Sequence, residues 1–281
     1  MFLALAAVIA LVVGMVVGML GGGGSVLLVP VFIYLLGVAE RPAIASSLFV
    51  VAVTSAAAAA AHARSGRVRW SMGVLFAALA VPGGFVGARL AHFVPDAVLL
   101  ALFGTLMVVT SLAMLRGRAP TRDVPPVKPN LALVPPIGLA VGLFAGLIGA
   151  GGGFLVVPAL VIVGGLAMDQ AIGTSLLVIT LQSLSGFAGH LGRTTLDVPL
   201  IAVSSVAAMT GSLFGARMVP LVDPLTLRRT FGGFVLLVGA FVIGRQIPGG
   251  HYGALATGLA LLLLALERLS RVHRSPDARA R

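Results

Sequence analysis

Groups able to bind a small anion occur twice in this sequence, each time where a run of glycines interrupts an apolar segment. The first run is Gly21–Gly24, followed by Ser25, and the second includes Gly149 and Gly151–Gly153. A glycine run is a poor helix interior, because glycine loses more backbone entropy on ordering than any other residue. Both runs therefore predict a place where the chain unwinds, turns and exposes backbone N–H groups.

The second half of the chain repeats the first at a constant offset of 128 residues. The matched positions include Gly14 with Gly142, Pro30 with Pro158, Ser46–Ser47 with Thr174–Ser175, His62 with His190, Arg89 with Arg217 and Gly104 with Gly232. This register has no gaps, and it predicts an internal duplication in which each half carries one glycine run.

The groups around the two glycine runs favour an anion over a cation. No Asp or Glu lies within the predicted spans, and free N–H groups at helix starts attract negative charge. The predicted substrate site comprises Gly21, Gly22, Gly23, Gly24, Ser25, Ser46, Ser47, Gly149, Gly151, Gly152, Gly153, Thr174 and Ser175. The chemistry points to a small oxyanion, although Ser25 matches Gly153, so the two halves of the site are not equivalent.

Four other recurring residues have two interpretations each. His62 and His190 either cap backbone carbonyls near the membrane interface or exchange protons with the anion, since histidine titrates near neutral pH. Arg89 and Arg217 either extend to the lipid headgroups or attract an anion to the mouth of the pathway. For the glycine pairs at small-xxx-small spacing, Gly14 with Gly18 and Gly142 with Gly146, helix packing is the preferred interpretation.

Composition identifies a polytopic helical membrane protein. The chain is 59% hydrophobic and 10% charged, with a mean hydropathy of +1.12, and its apolar runs are long enough to cross a bilayer. It has no cysteine, which excludes disulfides, thiolate metal sites and a cysteine nucleophile. We interpret the net charge of +11 as basic loops and lipid contacts, not nucleic-acid binding. The sequence shows neither a metal cluster nor a catalytic triad, so we expect no metal, no cofactor and no enzyme activity.

The predicted architecture is all-α, with two inverted repeats. Each repeat has a glycine-broken hairpin and three transmembrane helices; in the first, these helices span about residues 42–61, 70–91 and 97–115 after a polar turn at Glu40–Pro42. The first repeat covers residues 1–115 and the second covers 131–246. A basic, proline-rich cytoplasmic linker occupies 116–130, and one extra helix with a basic tail occupies 247–281.

The distribution of basic residues supports inversion. If each glycine segment returns to the side from which it entered, each repeat has an odd number of single spans, and the second copy is inverted. The inside then carries 15 Lys and Arg residues and the outside 4. Parallel repeats would divide them almost evenly, so the positive-inside rule favours inverted repeats.

The sequence resembles the sulfite exporter TauE/SafE family through its paired G-x-x-x-G-x-x-G-x-G-G motifs. These begin at Gly14 and Gly142, and a proline follows each motif six residues after its last glycine, at Pro30 and Pro158. The resemblance covers both repeats. It implies an integral membrane transporter linked to export of sulfite, sulfonates or related organosulfur anions.

We therefore expect a multi-pass protein of the cell inner membrane that exports a small sulfur oxyanion by secondary or facilitated transport. The anion would bind near the midplane, between two glycine-rich broken helices. The alternatives are transport of another small anion such as a carboxylate, a membrane scaffold and a membrane enzyme. The expected partners are the anion and the bilayer. The sequence leaves open the direction of transport, the coupling ion and whether the protein forms a homodimer.

Overall fold

A computed structural model describes residues 2–21, 27–116, 132–148, 152–192, 194–222 and 224–246. The predicted linker, apart from residue 116, and the predicted C-terminal helix lie outside the described residues. The described helices are α1 (Phe2–Leu20), α2 (Leu28–Pro30, continued by a π-helical turn over Val31–Leu35), α3 (Glu40–Arg64), α4 (Trp70–Leu90), α5 (Asp96–Arg116), α6 (Val134–Ile148), α7 (Gly153–Ile162), α8 (Met168–His190), α9 (Val198–Met218) and α10 (Pro224–Gln246).

The described part of the chain is helical and contains no strand. Five of its helical segments are long and apolar enough to cross a membrane: Leu3–Leu20, Glu40–Arg64, Trp70–Phe93, Met168–His190 and Val198–Leu221. Shorter apolar helices lie at Ala97–Leu112, Val134–Ile148 and Val235–Gly244. The prediction of an all-α, multi-pass membrane protein is confirmed.

The polar turn predicted at Glu40–Pro42 is wrong, because these residues form the first turn of α3. The chain turns earlier, at Gly37, which has a φ of +63°. A proline fits the first turn of a helix, where its missing N–H would have no helical partner. Glu40 also favours this start, since a carboxylate complements the positive end of the helix dipole.

Both glycine runs interrupt a helix, as predicted. Helix α1 ends at Leu20, immediately before Gly21, whose φ is +65°. Helix α6 ends at Ile148, and α7 begins after Gly152, whose φ is +64°. Residues other than glycine rarely adopt this left-handed conformation, so glycine is required at both turns. The predicted site residues Gly22, Gly23, Gly24, Ser25, Gly149 and Gly151 lie outside the described residues.

The elements of the two halves coincide at the offset seen in the sequence. Helices α4 and α9 are displaced by 128 residues at both ends, and so are the 3₁₀ turns that follow them, Ala91–Phe93 and Val219–Leu221. Helices α3 and α8 begin 128 residues apart, at Glu40 and Met168. The repeat in the sequence is therefore also a repeat of secondary structure.

Each half packs its first helix against the third long helix of the other half, α1 on α9 and α6 on α4. The contacts depend on glycine: a Cβ at Gly14 would overlap the backbone of Ala208, and one at Gly142 would overlap the backbone of Ala80. These two contacts are equivalent under the 128-residue offset. The predicted packing role of the small-xxx-small glycines is confirmed.

The equivalent helices α3 and α8 pack directly against each other and run in opposite directions. A Cβ at Gly173 would contact His62, whereas one at Gly186 would contact Leu48. Residue numbers therefore increase along α8 as they decrease along α3. Helices α5 and α10 behave in the same way, since Ser111 Oγ donates to the Gly232 carbonyl and Gly104 lies against Gly239.

Candidate functional site

A buried histidine meets the end of each glycine-broken helix. His62 Nε2 lies 3.1 Å from the Gly18 carbonyl oxygen, and His190 Nε2 lies 3.2 Å from that of Gly146. The histidine side chains are 0% and 2% exposed. Gly18 and Gly146 stand in the last turns of α1 and α6, where backbone carbonyls have no partner within the helix. Each histidine therefore caps a broken helix from a neighbouring long helix.

This arrangement matches the capping interpretation of the two histidines, but the rings are buried in the protein and do not lie at an exposed interface. Because a carbonyl oxygen only accepts, Nε2 carries the proton in both rings. Both Nδ1 atoms are buried and have no partner among the described residues. The His190 ring also makes an edge contact with His92, at 5.5 Å between centroids.

Removal of either cap is expected to destabilise the protein without changing how transport depends on pH. His62→Ala leaves a buried carbonyl without its donor, which costs about 1–3 kcal/mol, whereas His62→Gln keeps a donor near the position of Nε2. We expect the alanine variant to melt at a lower temperature and the glutamine variant to melt close to wild type. Thermal melts and flux at several pH values test this, and a pH profile altered in His62→Gln would instead support proton exchange.

The four predicted hydroxyl residues are all buried, but they do not form one cluster. Ser175 lies at the first glycine stretch, with Oγ 2.8 Å from the Ile172 carbonyl oxygen and 3.3 Å from that of Gly21. Thr174 Oγ1 accepts a hydrogen bond from the backbone N–H of Arg69 at 2.9 Å. Both residues stand in the first two turns of α8.

The other predicted pair, Ser46 and Ser47, stands near the start of α3, where the Ser47 hydroxyl donates to the Ile44 carbonyl at 2.8 Å. Helices α3 and α8 are antiparallel, so the two pairs lie toward opposite ends of the bundle. The structure therefore separates the hydroxyls that the sequence placed together.

A different set of buried polar residues lies near the middle of α3 and α8, which pack against each other: Thr54, Ser55, Gln182 and Ser183. Their side chains are between 0% and 1% exposed. A Cβ at Gly152, the residue before α7, would meet the side-chain nitrogen of Gln182. The sequence prediction missed Ser55 and Ser183, although they too are 128 residues apart, and that spacing was the available signal.

The recurring arginines Arg89 and Arg217 are exposed at the ends of α4 and α9. The Arg89 guanidinium carbon lies 5.2 Å from the centroid of the Phe85 ring, which agrees with a side chain extended along the bundle surface. Both arginines are therefore remote from the α3–α8 crossing.

A depression of about 620 Å³ opens near the start of α3 and the loop after α8. Its lining residues are Ala39, Glu40, Arg41, Pro42, Gly192, Thr194 and Thr195. It lies at one mouth of the bundle, away from Gly21 and Gly152, and Arg41 provides a positive charge there. Within the described ranges, no group of three or more histidine and acidic side chains comes together.

Comparison with known proteins shows the family to which the chain is similar. The profile of the sulfite exporter TauE/SafE family matches residues 6–242. A protein of Xylella fastidiosa (strain Temecula1) described as "Probable membrane transporter protein" is 34% identical over 81% of this chain and 90% of its own length. "Probable membrane transporter protein YdhB" of Bacillus subtilis is 25% identical, over 74% of this chain and 87% of its own. No solved structure matches the chain significantly.

Proposed function

Because this chain belongs to the sulfite exporter TauE/SafE family, we propose that it is a secondary or facilitated transporter that exports a small sulfur oxyanion of the sulfite or sulfonate type. Its relatives carry the name of membrane transporters, and the chain is a multi-pass membrane protein. The family description and the donor groups at the glycine breaks support a sulfur oxyanion as the substrate.

The observation that carries the proposal is the antiparallel packing of the equivalent helices α3 and α8. Two equivalent helices that run in opposite directions are related by a two-fold axis perpendicular to them. If both cross the bilayer, that axis lies in the membrane plane, and the repeats are inverted. Transporters built in this way have their substrate site near the midplane, at the interface between the repeats, and work by alternating access.

The glycine segments fit the hairpins of such a repeat. Helix α6 runs parallel to α4, because Gly138 lies against Phe76 and Gly146 against Gly84. Helix α7 starts beside Gln182, in the middle of α8, and leads back to the start of α8 at Met168. The chain therefore reverses direction between α6 and α7, at the second glycine run.

Charge at the two ends of the bundle supports an orientation. Gly18 lies against both His62 and Ser212, which places the last turns of α1, α3 and α9 at the same end. That end carries Arg64, Arg67, Arg69 and Arg217, whereas the opposite end carries Arg41 and Arg89. By the positive-inside rule, the first end faces the cytoplasm.

The membrane potential supplies a driving force for export without a dedicated coupling ion. A monovalent anion that leaves a cell with a negative interior gains about 2.3 kcal/mol per 100 mV. A binding site made of neutral hydrogen-bond donors suits this process, because it can hold a monoanion without retaining it as strongly as a buried cation would.

Thermal melting of the purified protein in detergent tests the substrate class. A ligand present at about 100 times its Kd stabilises the folded state by about 2.7 kcal/mol, which for a protein of this size raises Tm by several degrees. We expect the largest shift from sulfite or a sulfonate in a panel that also includes sulfate, thiosulfate, small carboxylates, and sodium and potassium salts. The same anion is then expected to leave protein-containing vesicles down an imposed potential. A shift produced only by a carboxylate or by a cation would contradict the proposed sulfur oxyanion.

A further inference from the structure

We propose that the anion binds at the centre of the α3–α8 crossing, among the hydroxyls of Thr54, Ser55 and Ser183, the amide of Gln182 and the first N–H groups of α7. This inference rests on the proposed transport function and gives it a binding site. It replaces the hydroxyl pairs 46–47 and 174–175, which the structure places toward the two ends of the bundle.

The packing of α3 on α8 fixes the level of these residues. Leu48 lies against Gly186, and His62 lies against Gly173. Ser55 stands seven residues from both Leu48 and His62, which is two helical turns and hence the same face of α3. Ser55 therefore faces α8, midway between the two contacts. Its equivalent Ser183 stands three residues before Gly186, about one helical turn from the residues of α8 that lie opposite Ser55.

The three hydroxyls differ from most others in the same bundle. Hydroxyls in membrane helices usually donate to a carbonyl one turn back. In this protein, Ser47, Ser65, Thr105, Ser175, Thr180, Thr210 and Ser212 all do so, at distances from 2.7 to 3.2 Å. The hydroxyls of Thr54, Ser55 and Ser183 are fully buried and have no partner among the described residues.

A buried polar group without a partner is unfavourable, and the cost persists in a bilayer, where water does not reach it. Unpaired hydroxyls at this level indicate a ligand that provides their missing hydrogen-bond partner. Ser204 and Ser205 in α9 are also unpaired, but they correspond to Phe76 and Ala77 in the other half and do not recur. The central hydroxyls Ser55 and Ser183 recur in both repeats.

Helix α7 directs a second set of donors to the same place. It is ten residues long. The N–H groups of Leu155 and Val156 donate to the Gly152 carbonyl oxygen at 2.9 Å, which leaves those of Gly153 and Phe154 as the donors at its start. Gly152 precedes it in the left-handed conformation and has no side chain that accepts from those groups. Since a Cβ at Gly152 would touch the Gln182 amide, the start of α7 lies beside Gln182.

The chemistry of this set selects a small oxyanion. The hydroxyls, the amide nitrogen and the helix start all donate hydrogen bonds, and the helix dipole adds positive potential. No acidic or basic side chain stands among the central residues. Such a site binds the oxygens of a monoanion such as a sulfonate, and it offers no carboxylate to a cation.

Cysteine substitution tests whether the centre opens to water, because the natural chain has no cysteine. Ser55→Cys and Ser183→Cys are expected to react with an anionic, water-soluble methanethiosulfonate reagent in vesicles, and methanesulfonate, a monoanion, is expected to slow the reaction. A sulfonate is used because sulfite itself attacks thiol reagents. Thr180→Cys is the control: this residue stands in the same helix and lines an apolar lateral groove. It is expected not to react.

Ligand melting tests the hydroxyls themselves. Thr54→Val and Ser183→Ala are each expected to weaken anion binding about tenfold or more, since a hydrogen bond to a charged group is lost. Thr180→Val removes a hydroxyl that donates to Leu176 at 2.7 Å and is expected to keep the full ligand-induced Tm shift.

The outcomes separate this inference from the proposed function. If the wild type responds to an anion and both central variants respond equally, the central site is wrong while transport stands. If neither cysteine variant reacts although both still transport, the central site is also wrong. If the wild type responds to no anion, both the proposed anion transport and the site that rests on it are wrong. Loss of the shift in the central variants alone, together with protected cysteines, supports the site.

Discussion

Valine in place of Gly142 is expected to prevent the helical bundle from assembling, and valine in place of Gly14 is expected to do the same. At Gly142 a Cβ would overlap the backbone of Ala80, and at Gly14 it would overlap that of Ala208. Backbone lies on both sides of each contact, so no flexible side chain can move aside. Overpacking costs 1–3 kcal/mol where neighbours can shift, and we expect about 3 kcal/mol or more here.

Size-exclusion profiles and thermal melts in detergent measure this effect. Gly233→Val is the matched control, because Gly233 also lies in a helix but a Cβ there would have no neighbour within 4 Å. The control variant is expected to elute and melt like wild type. If the Gly142 variant also melts within a few degrees of wild type, the close pairing of α6 with α4 is not what holds the two halves together.

Two kinds of helix pairing explain why the duplication could be predicted from sequence. They are the close pairing of α1 with α9 and of α6 with α4, and the antiparallel pairing of α3 with α8. Close contacts require glycine at fixed intervals, and a two-fold relation requires the same glycines in each half. The offset of 128 residues that links Gly14 to Gly142 therefore also links their partners, Ala208 and Ala80. Helix lengths followed from the thickness of the bilayer. The start of α3 was missed because Pro42 marks the first turn of a helix as readily as the end of a loop.

The location of the proposed site could not be predicted from the same pattern. In an antiparallel crossing, a residue meets its own equivalent only where the symmetry axis passes, and residues farther along the helices are carried apart. Thr54 and Gln182 stand at this level, whereas Ser47 and Ser175 stand toward opposite ends. Recurrence in the sequence thus identifies equivalent residues but not the pair that lies on the axis.

The hydrogen-bond partners of the two recurring histidines could not be predicted from the sequence either. Their recurrence drew attention to His62 and His190, but the partner of each ring is a backbone carbonyl 44 residues earlier in the chain. A carbonyl leaves no mark in the amino-acid sequence. Only the contact between the end of α3 and the end of α1 shows that His62 caps a broken helix.

Alanine in place of Gly152 is expected to reduce anion efflux about tenfold or more while leaving the bundle folded. Its φ of +64° disfavours any side chain by about 1–2 kcal/mol, and the new Cβ would displace the amide of Gln182. Loss of that amide as a donor to a charged ligand accounts for the tenfold weakening. Efflux from vesicles measures the loss of transport, and a thermal melt of the same preparation shows whether the bundle is folded.

Gly37→Ala separates backbone strain from displacement of the amide. Gly37 has a φ of +63°, nearly that of Gly152, but a Cβ there would have no neighbour within 4 Å. Both variants therefore carry similar backbone strain, and the Gly152 variant is expected to lose additional stability because its Cβ would also meet that of Ala145. Only the Gly152 variant is expected to lose efflux and ligand binding. Equal losses of efflux in the two variants would mean that the glycine at the start of α7 acts through backbone conformation alone, and that its contact with Gln182 has no part in transport.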